Sequence, residues 1–159
     1  MHANANASET VRLRMQRHAS QGVFQGLSET AGRRGKTTFN FRWLMGQEFR
    51  LLVDPNKQLL VAQKLLPEIE TYSFNDRDLR RFVTGRSDPA LPSHRRVDAD
   101  LFSLTYTNRK QTVSLFGGVP TNDYAYATKS VLTAINDLFA YLHLNHINYL
   151  HENFSLPEE

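Results

Sequence analysis

Residues 31–43, AGRRGKTTFNFRW, contain the Gly-Lys-Thr triplet that ends a phosphate-binding loop. Such a loop needs another glycine five residues before Gly35, and it lies between a strand and a helix. Thr30 occupies that position, and the residues after Lys36 alternate between aromatic and polar, as in a strand. No helix N-terminus would follow to bind a phosphate. The triplet therefore predicts a basic hairpin turn, and we expect no nucleotide or other cofactor.

Three histidines near the C-terminus are the next candidates for chemistry, because imidazole is a common metal ligand. His143 and His146 are three residues apart, and His151 follows five residues later. On a helix that turns about 100° per residue, His146 falls within an apolar stripe while His151 lies toward solvent. The three rings do not converge on one point. We therefore expect a buried, hydrogen-bonded His146, a surface His151 and no metal site.

The sequence has no arrangement typical of a catalytic centre. It contains no cysteine, and no serine or threonine lies on the tight glycine turn that exposes a nucleophile. Asp76 and Asp78, like Asp98 and Asp100, fit better as helix-start and loop residues than as acid–base pairs. We therefore expect no enzyme activity. A site assembled from scattered residues is the alternative that sequence patterns leave open.

The clearest charge signal is basic and lies in the N-terminal part of the chain. Residues 1–36 carry six lysines and arginines against two acids, although the net charge of the whole chain is only +3. Residues 11–17 alternate apolar and basic side chains, which favours a half-buried strand, with a helix as the competing interpretation. On a strand the arginines would project together, and basic surfaces beside aromatic side chains bind single-stranded nucleic acid. The residues predicted for this alternative function are Arg12, Arg14, Arg17, Arg33, Arg34 and Lys36.

Strands must position most of these residues. In residues 37–44 the aromatic Phe39, Phe41 and Trp43 share one face, while Asn40 and Arg42 share the other. The aromatic row is thus either a stacking surface or part of the core beneath a helix, and we expect it to be core. Short turns between the strands indicate an antiparallel meander. Predicted strands cover residues 23–28, 37–44, 48–53, 58–65, 101–107 and 111–116.

Two helices complete the predicted fold. Asn75 can cap a short helix over residues 76–84, and Gly85 ends it. Apolar residues recur at helical spacing over residues 123–153, which predicts a long amphipathic helix against the sheet. The fold class is therefore α+β: an antiparallel sheet of about five or more strands, a long C-terminal helix and one short middle helix. In topology alone, this order resembles that of small α+β secretion chaperones.

The remaining expectations concern domains, location and partners. Residues 1–8 should form a flexible N-terminal tail, and residues 9–156 a single domain. No segment approaches the ~20 apolar residues that span a bilayer, and the N-terminus lacks the apolar core of a secretory signal. Together with the missing cysteines, this pattern predicts a cytoplasmic protein without a membrane partner.

Apolar side chains outside the main helical stripe favour a protein-binding function. Tyr141 and Leu144 lie where a helix packed on a sheet should face solvent, and such residues are consistent with a partner contact. We therefore predict a non-catalytic protein-binding module, an adaptor or chaperone-like protein, whose partner is another protein or a second copy in a homodimer. Nucleic-acid binding is the alternative.

Overall fold

An antiparallel sheet of six strands is the centre of the fold in the computed structural model, which describes residues 2–154, with side chains from residue 7 onward. The strands are β1 (Gln25–Ala31), β2 (Thr37–Trp43), β3 (Gln47–Asp54), β4 (Leu59–Leu66), β5 (Ser103–Arg109) and β6 (Thr112–Gly118). Their order in the sheet is β1-β2-β3-β4-β6-β5, and every neighbouring pair is antiparallel. The predicted α+β class and antiparallel sheet are confirmed; the meander runs from β1 to β4, and β6 rather than β5 then pairs with β4.

Helices lie before, within and after the run of strands. They are α1 (His2–Ser20), α2 (Phe74–Thr84), α3 (Tyr124–Asn145) and α4 (Ile147–Asn153), with short 3₁₀ turns at Arg33–Gly35 and Gly85–Ser87. The long helix α3 and the N-terminal helix α1 pack against each other and against the sheet. The predicted long C-terminal helix on the sheet is therefore confirmed.

The prediction of a strand over residues 11–17 is wrong, because these residues belong to α1. Val11 and Met15 are fully buried, whereas Leu13 is 60% exposed. Ala7, Val11 and Met15 follow one another at intervals of four residues, which is the spacing of one face of a helix. The prediction assumed the two-residue period of a strand and therefore missed this spacing. The helix also includes residues 2–8, for which the sequence predicts a tail, and the hydroxyl of Ser8 lies 3.2 Å from that of Thr37.

Helix ends also differ from the sequence prediction. Ser73, rather than Asn75, caps α2, because its hydroxyl accepts a hydrogen bond from the amide of Asp76. Gly85 ends α2 as predicted. The helix predicted over residues 123–153 is divided at His146, whose backbone (φ −139°, ψ 43°) is not helical. This break lets the short helix α4 turn so that Tyr149 and Leu150 are buried against the core.

The sheet has one face under the helices, the covered face, and one face without a described helix, the open face. Two neighbouring rows across the six strands show the difference. On the covered face the row is Glu29, Phe39, Leu51, Ala62, Leu115 and Tyr106, and all but the first belong to the hydrophobic core. On the open face the row is Thr30, Thr38, Leu52, Val61, Phe116 and Thr105, of which only Val61 is buried.

Candidate binding surface

Strand β1 is the most exposed strand of the sheet. Six of the seven residues of β1 are exposed, and within residues 2–154 the strand pairs only with β2. The opposite edge strand, β5, lies beside α2 and buries Tyr106 against it. Backbone N–H and C=O groups on the outer side of an edge strand can pair with another chain. The two edges of the sheet therefore differ, and β1 is the one open to pairing.

A β-bulge near the start of β1 shapes this edge. The pairing register of β1 and β2 shifts between Gln25 and Ser28. Gly26 lies within the bulge at φ +62°, a left-handed conformation that glycine adopts without strain. A Cβ atom at Gly26 would lie 3.6 Å from Nη2 of Arg42. The guanidinium of Arg42 therefore reaches across β1 toward the edge, through space that the missing side chain leaves open.

A groove of about 480 Å³ lies on the open face beside β1. Its charged lining residues are Arg42, Arg50 and Lys64, together with the single acid Glu48. We call it the basic groove, and its further polar lining residues are Ser28, Asn40 and Gln63. Arg50 lies opposite Asn40 on one side and Gln63 on the other, so the pairing register places these three side chains in one row.

A second groove, of about 590 Å³, lies on the other side of β1, between the strand and α1. We call it the helix groove, and its apolar lining consists of Ala19, Phe24, Leu27 and Phe39. Its polar lining consists of Arg12, Gln16, Ser28 and Glu29. Arg12 and Glu29 join α1 to β1 through two hydrogen bonds of 2.7 and 2.9 Å. The hydrogen bond from Arg12 holds the pKa of Glu29 below its ordinary value. Strand β1 therefore has a basic groove on one side and, on the other, a groove lined by both polar and apolar side chains.

The six residues predicted for nucleic-acid binding do not share one strand face. Arg12 and Arg14 are about 200° apart on α1, since a helix turns about 100° per residue. Ser8 lies beside Thr37 at the β1–β2 turn, and Arg17 lies nine residues farther along α1, about 14 Å away. Arg33 and Arg34 lie in that turn, and Lys36 follows them, 3.8 Å from Asp54. The structure therefore groups Arg33, Arg34 and Lys36 but separates them from Arg17.

The aromatic row of β2 belongs to the core, as expected. Phe39 is 1% exposed and Phe41 is 3% exposed. Trp43 is half-buried, with its ring 5.4 Å from that of Phe24 and 5.5 Å from that of Phe49. Bases that bind to single-strand surfaces need exposed ring faces for stacking. The residues that the sequence paired with the arginines therefore offer no stacking surface.

The two residues predicted for protein binding have different environments. Leu144, near the end of α3, is 84% exposed. Tyr141 is half-buried: its ring stacks on Phe82 at 4.3 Å, and its hydroxyl donates a 2.8 Å hydrogen bond to Asp78. Other large apolar side chains are exposed at this end of the molecule, where the ring of Phe74 lies 6.3 Å from that of His146. They are Tyr72, Phe74 and Ile147.

Asp78 is the centre of a buried polar cluster that joins α2 to the α3–α4 junction. Its carboxylate accepts hydrogen bonds from Arg81 and Tyr141, and His146 Nε2 lies 2.6 Å from Oδ2. Burial opposes the ionisation of Asp78, but these hydrogen bonds outweigh burial and lower its pKa. The predicted buried, hydrogen-bonded His146 and exposed His151 are confirmed.

Hydrogen bonds, two of them from β5, hold the carboxylate of Asp76 in a similar way. Its carboxylate accepts hydrogen bonds from the hydroxyl of Tyr106, the amide of Asn108 and the backbone of Tyr72. Burial again opposes ionisation, and the hydrogen bonds again lower the pKa of Asp76. Both carboxylates are thus occupied by contacts that fasten α2 to the rest of the fold.

Within residues 2–154, no group of three His, Asp or Glu side chains is placed to hold a metal ion, and no helix is both long and apolar enough to cross a bilayer. Comparisons of the chain with protein-family models, with curated proteins and with solved structures found no match.

The basic groove is not recognisable as a site from the sequence. Arg42 and Arg50 alternate with core residues along neighbouring strands, and this alternation is visible in the sequence. What the sequence does not show is the pairing register, which places Arg42 opposite Glu48 and Arg50 opposite Asn40. The place of Lys64 in the groove was still harder to predict, because Lys64 lies at an irregularity between Ala62 and Leu66 where β4 leaves its regular register.

Proposed function

We propose that this protein is a non-catalytic, cytoplasmic protein-binding module, an adaptor or chaperone-like protein, that holds an extended segment of a partner along β1. The outer edge of β1 carries the proposal: seven consecutive residues of strand without an outer partner among the described residues, with a groove on each side. A partner segment added there would extend the six-stranded sheet by one strand.

The two grooves beside β1 bear on the proposal because an added strand would place side chains in both of them. Side chains of an extended segment point alternately to the two faces of a sheet. One set would enter the basic groove on the open face, and the other would enter the helix groove between α1 and β1. Backbone hydrogen bonds would supply affinity, and the grooves would supply specificity.

Hydrogen exchange tests this proposal. The immobilised protein captures partners from a cell extract, and amide exchange is then measured in the purified complex. We expect protection of the amides of β1, and no change in β5, which serves as the internal control because it is the other edge of the same sheet. Protection confined to other elements would contradict the proposal. Recovery of nucleic acid instead of protein would support the alternative function.

A second apolar surface supports self-association of the same module. Leu144, Phe74 and Tyr72 are between 66% and 84% exposed near the α3–α4 junction. We expect Leu144→Ser to shift a dimer toward monomer in size-exclusion chromatography with light scattering. Leu13→Ser is the matched control, since Leu13 is also exposed but lies on α1. A wild-type protein that is monomeric at every concentration would rule out the homodimer.

A further inference from the structure

Three cations of the basic groove have no partner of their own in the described chain. The side chains of Arg42, Arg50 and Lys64 form neither an ion pair nor a hydrogen bond within residues 7–154. Many surface cations lack partners, but these three line one concave space. The only acid in that lining is Glu48. The groove therefore has an uncompensated positive charge.

The three cations lie on three successive strands. Arg42 is on β2, Arg50 is on β3 and Lys64 is on β4. Neighbouring strands are about 4.8 Å apart, so the backbone positions span about 10 Å across the sheet. Arg42 begins this series next to β1, and its guanidinium lies over Gly26. A chain that pairs with the outer edge of β1 would therefore lie one strand spacing from the guanidinium group of Arg42. The backbones of Arg50 and Lys64 would lie about 14 and 19 Å from such a chain, so these two cations act on it only through the positive potential of the groove.

We propose that the partner segment is acidic on one side: it carries carboxylates at alternate positions, and these enter the basic groove. The proposal rests on the proposed function, because the alternation follows from strand pairing along β1. The other alternate positions face the helix groove, where the half-buried Ala19 and Leu27 are the apolar side chains that a partner can contact, since Phe24 and Phe39 are only 3% and 1% exposed. The recognised pattern is thus an extended segment in which acidic residues alternate with β-branched apolar residues, which favour the strand conformation.

A polypeptide fits this groove better than a nucleic acid does. The aromatic residues that border the groove, Phe41 and Phe49, are only 3% and 5% exposed, so their ring faces cannot stack on bases. The groove also opens beside strand backbone, which can form hydrogen bonds in register with another polypeptide. Charge complementarity and the free strand edge therefore favour an acidic peptide.

Fluorescence anisotropy with synthetic peptides tests the charge pattern. The probe is a nine-residue labelled peptide of alternating Val and Glu, and its controls replace Glu with Gln or with Lys. We expect the Glu peptide to bind about tenfold more tightly than the Gln peptide, and the Lys peptide to bind least. Raising the salt concentration should reduce the difference between the Glu and Gln peptides.

Variants of the groove locate the effect. Arg42→Gln should weaken binding of the Glu peptide about threefold, and adding Arg50→Gln should weaken it by less than about a further twofold, because Arg50 lies on β3, too far from the added strand for direct contact. Binding of the Gln peptide should hardly change. The matched control is Arg109→Gln, which removes an exposed arginine from the other edge strand, β5. Thermal unfolding of each variant verifies that the fold is intact.

A peptide with an N-methyl group at every backbone amide separates the two proposals, because it keeps the charges but has no N–H group left to pair as a strand. If Glu, Gln and Lys peptides bind equally and all lose affinity on N-methylation, the strand-pairing function stands and the acidic preference is overturned. If the Glu peptide keeps its advantage after N-methylation, the acidic groove stands and pairing along β1 is overturned. If oligothymidylate binds more tightly than the Glu peptide and this depends on Arg42, the peptide proposal is overturned in favour of nucleic acid.

Discussion

On the covered face of the sheet, Phe39, Leu51 and Leu115 lie beneath the helices and are at most 1% exposed. On the open face, one position along the same strands, Asn40 and Arg50 remain in contact with water. Alternation with a period of two residues produces both faces. The covered face determines which fold the chain adopts, because apolar burial is the main stabilising force. In the proposed function, the open face and the β1 edge beside it determine what the protein binds.

The largest expected difference between the faces comes from deleting a ring on each. Phe39→Ala should lower the free energy of unfolding by about 3–5 kcal/mol, because it leaves a cavity beneath the helices. Phe116→Ala is the matched change on the open face, where the ring is only partly buried. We expect it to lower stability by about 1 kcal/mol. Urea unfolding of the two variants measures both, and equal losses would contradict the division into faces.

Two adjacent glycines of β6 test the same division by adding atoms. A Cβ at Gly117 would overlap the ring of Phe102 and lie 3.1 Å from the carbonyl oxygen of Leu60. A Cβ at Gly118 would lie 2.7 Å from the hydroxyl of Ser103, which can rotate away. We expect Gly117→Ala to lower the free energy of unfolding by about 3 kcal/mol and Gly118→Ala to lower it by less than about 1 kcal/mol. The reverse order in thermal unfolding would show that Phe102 can move aside.

The Asp78 cluster should make the helical side of the molecule sensitive to acid. Because the folded-state pKa of Asp78 is lowered, its stabilising contribution is present above about pH 4 and is lost as pH falls through the folded-state value. Asp78→Asn should lower stability at about pH 7 by about 2 kcal/mol and flatten the acid dependence. The control, Asp100→Asn, changes an exposed loop residue. Urea unfolding at about pH 7 and about pH 3 measures both effects, and an unchanged slope in Asp78→Asn would exclude this role.

The smallest expected effect on folding belongs to the basic groove. Arg50→Gln should change the free energy of unfolding by no more than about 0.5 kcal/mol, because the side chain is exposed and has no ion pair in the described chain. A larger loss in thermal unfolding would mean that Arg50 belongs to the stability of the fold, and its use as a binding probe would then fail.

Local patterns were enough to predict most of the sheet. The β2 alternation of Phe39, Phe41 and Trp43 placed the aromatic row in the core, and the spacing of strands predicted an antiparallel meander. Residues 11–17 were assigned wrongly because their apolar residues fit two periods equally well. Val11, Leu13 and Met15 fit the two-residue period of a strand, and Val11 and Met15 also fit the four-residue spacing of a helix. Only the contact of α1 with the core decides between these periods.

The Asp78 cluster and the basic groove were harder to predict, because both depend on contacts between distant residues. Asp78 and His146 are 68 positions apart, and their 2.6 Å contact follows from how α2 packs near the α3–α4 junction. The proximity of Arg42 to Gly26 similarly depends on the bulge in β1. Composition correctly indicated a basic N-terminal region, but it could not show that Arg12 is paired with Glu29 while Arg42 has no ion pair in the described chain.

Trp43 is an intrinsic fluorescent probe within the protein. It is the only tryptophan, and its half-buried ring contacts Phe24, which connects α1 to β1. Emission from an indole shifts to longer wavelength when water reaches it. Any event that loosens α1 from the sheet should therefore shift the emission maximum of the intrinsic fluorescence. An event confined to Leu144 at the end of α3 should leave the emission maximum unchanged.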